Sequence, residues 1–113
     1  IQRASINIST SGDNSIIAAP GTGLAIKIIE LFIENTSDTD LTVILKSAST
    51  ALNGAGYFIA NPANTTSQPR TREFIAAGGV GQGEMVLGTN EAFQINLSAA
   101  KQVSGYVIYR TDS

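Results

Sequence analysis

Between residues 92 and 97 the chain reads Ala92-Phe-Gln-Ile-Asn-Leu97, with Phe93, Ile95 and Leu97 at alternate places and Gln94 and Asn96 between them. An extended strand puts alternate residues on opposite faces, so this segment has one apolar face and one that is wet or paired with polar groups. Runs of the same kind recur at residues 4–8, 15–18, 24–35, 40–46, 56–60, 72–76, 84–87 and 102–110, each closed by Gly, Asn, Asp, Ser or Pro. Short alternating runs separated by turn residues are the signature of strands, and helical stripes are hard to find. The pattern predicts an all-β chain, an antiparallel β-sandwich of about eight or nine short strands, forming one domain over residues 1–113 with no helical layer.

Two runs depart from simple alternation. Leu24-Ala-Ile-Lys-Ile-Ile-Glu-Leu-Phe-Ile-Glu-Asn35 changes phase around Ile28-Ile29, which predicts a bulge or bend that lets one long central strand serve two neighbours. Val103-Ser-Gly-Tyr-Val-Ile-Tyr109 is apolar on both faces after Gly105, so its outer face calls for cover by another surface, such as a second subunit. Tyr106, Ile108 and Tyr109 are therefore the candidate oligomer-interface residues.

The turns are expected at Ser11-Gly12-Asp13-Asn14 and Asn35-Thr-Ser-Asp-Thr-Asp40, both read as hairpin connections. Two longer loops, residues 61–71 with Pro62 and Pro69 and residues 77–83 with four glycines, are where exposed contacts are expected. In the first of them, Arg70 and Arg72 form the one tight basic pair and are candidate partner contacts. Tyr57, in Gly54-Ala-Gly-Tyr-Phe58, is a third candidate contact, as a platform for a sugar ring.

Composition narrows the chemistry. The chain has neither His nor Cys, which removes the usual general base, the thiol nucleophile, disulfides and the common transition-metal ligands. A carboxylate pair is the remaining enzymatic candidate, but Glu30 and Glu34 would stand ~13 Å apart along one strand, wider than either glycosidase geometry. Asp38 and Asp40 offer too few oxygen ligands for a calcium loop and read as a polar turn. Pro20-Gly-Thr-Gly-Leu24 lacks the third glycine and the helix of a dinucleotide site, and Gly78-Gly-Val-Gly-Gln-Gly83 lacks the Lys-Ser or Lys-Thr of a phosphate loop. No enzyme, cofactor or metal is expected. Seven basic residues against nine acidic ones, a net charge of -2, argue against nucleic acid as partner. No apolar run reaches the ~18 residues of a membrane-spanning helix, so a soluble chain is expected.

Taken in order, five segments resemble small structural proteins of tailed-phage virions: Ile-Ser-Thr-Ser-Gly-Asp-Asn-Ser-Ile-Ile-Ala-Ala-Pro-Gly-Thr-Gly at 8–23, Ile-Lys-Ile at 26–28, Leu-Lys-Ser-Ala-Ser-Thr-Ala-Leu-Asn-Gly at 45–54, Leu-Gly-Thr-Asn-Glu-Ala-Phe-Gln-Ile-Asn-Leu-Ser at 87–98 and Val-Ser-Gly-Tyr-Val-Ile-Tyr at 103–109. They span nearly the whole chain, and each is a strand-and-turn pattern with no catalytic signature. The resemblance implies a jelly-roll-like sandwich on the outer surface of a bacteriophage particle, often a homotrimer. Its expected role is capsid decoration or cementing through the major capsid protein or another virion protein, with residues 1–9 as an arm that wedges between capsid subunits. The alternative is a tail- or fibre-associated head module that binds a receptor or a carbohydrate.

Overall fold

A computed structural model describes residues 1–35, 41–52, 57–59, 72–76 and 85–113, with side chains for all of these but residues 35, 57–59 and 72–76. Ten strands occur among them: β1 (Gln2–Ile8), β2 (Gly12–Ile17), β3 (Ala25–Asn35), β4 (Leu41–Ser47), β5 (Thr50–Ala51), β6 (Tyr57–Ile59), β7 (Arg72–Ala76), β8 (Met85–Thr89), β9 (Phe93–Leu97) and β10 (Val103–Asp112). No helix is present among the described residues. Each expected run has its strand; the two-residue β5 has no counterpart in the sequence reading, being too short to show a period.

The strands form two antiparallel sheets. In the first the order is β1-β10-β3-β7, with β8 also on β3; in the second it is β2-β9-β4-β5, with β6 also on β4. β7 and β8 lie end to end along one edge of β3, pairing with residues 30–34 and 25–28. β5 and β6 share an edge of β4 in the same way. Each sheet is thus four rows wide, and the two interleaved sequences of rows are the double Greek key of a jelly roll.

This topology corrects the two hairpin expectations. β1 and β2 belong to different sheets, as do β3 and β4, so both connections cross the sandwich. The first turn also falls earlier than Ser11–Asn14, because Gly12, with φ of 90°, already begins β2. The Asn14 side chain donates to the carbonyls of Thr10 at 2.8 Å and Gly12 at 3.0 Å, which ties that crossing in place. Pro20–Leu24 is a turn, closed by the Leu24 N–H on the Gly21 carbonyl at 3.1 Å and leading directly into β3.

The phase change in β3 is a bulge. Ile108 pairs with Glu30 and Tyr109 with Ile28, leaving Ile29 as the extra residue. On one side of it Ile26 and Ile28 point into the core, on the other Leu31 and Ile33 do, and all four are buried. Without the bulge the second half of β3 would turn its polar face inward. Between the sheets, Phe93, Ile95 and Leu97 of β9 meet Leu41, Val43 and Leu45 of β4, Val103 and Val107 of β10 and Ile6 of β1. Each such side chain contributes roughly 1.5–3 kcal/mol on burial, and this layer holds a chain that has no disulfide.

Candidate functional site

The outer faces of the two sheets differ in kind. On the second sheet Asp13 accepts from Asn96 at 2.8 Å and from the Lys46 ammonium at 3.1 Å, so the polar face expected of β9 is paired with neighbouring polar groups. These contacts hold the Asp13 carboxyl below its usual range, chiefly through the Asn96 hydrogen bond and next through that of Lys46.

On the first sheet the outward positions of β10 and β3 carry aromatic and aliphatic side chains. The alternation that buries Val107 and Leu31 turns Tyr106, Ile108 and Phe32 to the outside. The rings of Phe32 and Tyr106, directly paired across the strands, stack with centroids 5.7 Å apart and planes 26° apart. The Arg3 guanidinium, from β1, lies 4.6 Å from the centre of the Tyr106 ring, a cation–π contact. The Tyr106 hydroxyl donates to Glu30 Oε2 at 2.6 Å. That hydrogen bond is the main reason the phenol titrates above its ordinary value; desolvation and the Glu30 charge add to it and Arg3 opposes it. Farther along, Asp112 forms ion pairs with Lys27 and Arg110. On the flank, Val86 of β8, paired with Lys27, is 56% exposed.

This face is an apolar, aromatic centre with charged neighbours on both sides, the composition of a contact surface. Chemically its groups can stack, donate and accept hydrogen bonds and pair charges.

The structure separates the three residues expected at one interface. Tyr106 and Ile108 share the outer face, whereas Tyr109 packs against the core from the inner side, its hydroxyl donating to Gln2 at 3.1 Å. Beyond the bulge opposite Ile108, β10 keeps its alternation, so neighbouring residues 108 and 109 cannot face the same way. Glu30, expected on a solvated face, is half-buried beneath Tyr106. Sequence reasoning passed over Arg3 and Phe32. Phe32 had a signal: once the phase shifts at Ile29, it is a large apolar residue on the polar register of β3, the same two-sided signature that marked Tyr106. Arg3 had none, because its contact depends on β1 lying beside β10.

Residues 1–9, expected as a free arm, are instead β1, paired with β10 from Gln2 to Ile8 without interruption. A strand so paired is not available as a wedge. Arg70, Asp38 and Asp40, the loop at 61–71 and the glycine-rich loop at 77–83 lie outside the described residues. Arg72 is in β7 opposite Glu34 and Tyr57 in β6 opposite Val43; their side chains lie outside the described set. Comparison with protein-family models, with curated proteins and with solved structures finds no match to this chain.

Proposed function

We propose that this protein is a non-enzymatic structural component of a bacteriophage virion, a decoration or cement protein that binds the outer surface of the capsid as an oligomer. The observation that carries the reading is the outer face of the first sheet, where Phe32, Tyr106 and Ile108 form an aromatic and aliphatic patch braced by Arg3 and Glu30. Such a patch serves association, and the pairing of every one of those polar groups with a neighbour leaves it preorganised for a flat protein surface. The jelly roll supports the reading only as a compatible scaffold, since that architecture hosts many functions.

A ligand that binds only the assembled lattice stabilises it by mass action, about 2.7 kcal/mol per site at a hundredfold excess over Kd. The test is labelling of purified virions with antibody to this protein, followed by co-sedimentation of the pure protein with heads stripped of it. Binding to heads, lost in Tyr106→Asp, supports the proposal. Binding to glycans or to host envelopes with none to heads would move the protein to the receptor-binding alternative.

A further inference from the structure

The first sheet ends at β1. Among the described residues only β10 pairs with it, so alternate residues of β1 turn N–H and C=O groups away from the sheet with no strand to receive them. Natural sheets guard such edges with short strands, bulges, charges or proline. Three of the four edges here are guarded. β5 and β6 are two and three residues long, β7 and β8 break their edge into two pieces of five, and β2 carries a bulge at Ile16 and the charge of Asp13. β1 is seven residues long, has no bulge and no proline, and bears Arg3 as its single charge.

A second feature adjoins that edge. An open cleft of about 240 Å³ lies where the two sheets part, lined by Gln2, Ile17, Ala18, Pro20, Tyr109 and Thr111. Gln2 is the first residue of β1, so whatever pairs there reaches the mouth of the cleft.

We infer that two copies of this chain join β1 to β1, antiparallel about a two-fold axis at Ser5, merging their first sheets into one. In that register Ser5 faces the second copy's Ser5, Ala4 faces Ile6, Arg3 faces Asn7 and Gln2 faces Ile8. Every pair joins residues of like parity, so inner-face residues meet inner-face residues and whichever set of backbone groups points outward finds its complement. No charge meets a like charge. Ile8, half-buried on the inner face, comes to Gln2 at the mouth of the other copy's cleft, and the two-fold axis fills both clefts alike. A second copy is the occupant because the strand is complementary to itself in length, face and charge. The pairing closes as a dimer, in place of the trimer that the sequence resemblance implies. It leaves the Tyr106 face uncovered, so it stands apart from the virion reading.

The test uses the pure full chain. Light scattering after size-exclusion chromatography, over a concentration series, should give twice the protomer mass. Ser5→Lys and Ser5→Glu each place like charges opposite one another on the axis, so each should halve the mass. An equimolar mixture of the two should restore it. Ser5→Cys, in a chain that has no other cysteine, should oxidise to a disulfide-linked dimer far more readily than the exposed control Thr22→Cys. A protomer mass at all concentrations, a threefold mass, charge variants that keep the wild-type mass, or Ser5→Cys crosslinking no better than the control would each overturn the inference. The Cys variant keeps the test valid if a charge variant fails to fold. Capsid co-sedimentation, read separately, decides the virion proposal without bearing on this one.

Discussion

Tyr106 on β10 donates a 2.6 Å hydrogen bond to Glu30 on β3 while its ring is held between Phe32 and the Arg3 guanidinium. One side chain therefore links three adjacent strands on the outer surface. Ionising the phenol would set a negative oxygen against the Glu30 carboxylate, and its pKa is accordingly raised above 10.0. Because the folded value exceeds the unfolded one, the stabilisation is fully present below pH 10 and is lost as pH rises through the raised pKa. Tyrosinate absorbance should show a tyrosine ionising later than the ordinary value, and Tyr106→Phe should delete that late step. If the late step survives in Tyr106→Phe, the assignment to Tyr106 is wrong.

Gly105 sits against the backbone of Phe32. A Cβ placed on it would overlap the Phe32 carbonyl and come within 2.8 Å of the carbonyl carbon, and its φ is 157°. The obstacle is main chain in the middle of the sheet, which cannot swing aside. Gly105→Ala should destabilise the fold by about 3 kcal/mol or more, measured by urea unfolding. A loss under about 1 kcal/mol would mean that β10 and β3 separate more easily than their register suggests.

Ser47 is a buried hydroxyl at the end of β4, receiving the Gly88 N–H at 2.9 Å and donating to Glu91 at 2.5 Å. Replacing it with alanine strands the Gly88 donor and one carboxylate oxygen. Ser47→Ala should cost about 1–3 kcal/mol in thermal or chemical unfolding, more than serine-to-alanine changes at exposed positions.

Phe93 is fully buried and is the largest side chain of the core. Phe93→Ala should cost about 3–5 kcal/mol, enough to threaten the fold at physiological temperature. Circular dichroism melts would check it, and a shift of only a few degrees would mean the core collapses into the space.

Asp13 sets the acid behaviour of the second sheet. Its carboxyl is held low by Asn96 first and Lys46 second, so this contribution is present above the unfolded pKa and disappears as pH falls through the depressed folded value. The carboxylate is 37% exposed, so Asp13→Ala should cost no more than about 1 kcal/mol. A carboxyl-carbon NMR titration should find Asp13 below 3.8, and Asn96→Ala should raise it more than Lys46→Ala.

Strand existence was legible because period two is a local property. The alternation of Phe93, Ile95 and Leu97 names the buried face of β9 without any knowledge of its neighbours, and the phase change at Ile28-Ile29 locates the bulge. Strand partners were not. The segments 35–40 and 11–14 look alike in a hairpin and in a crossing between sheets, since a turn residue records a local dihedral preference and nothing about where the next strand goes.

The sequence by itself determined an all-β chain, its inward residues and a two-sided β10, because burial forces a periodic pattern onto every strand. Only the tertiary structure decided that Tyr106 and Ile108 point away from Tyr109's side of the sheet, that Arg3 and Phe32 complete the outer patch, and that residues 2–8 are a paired edge strand and not an arm. Those facts rest on which strands lie side by side, and adjacency across dozens of residues follows from how two sheets bury one common core, which no single segment encodes.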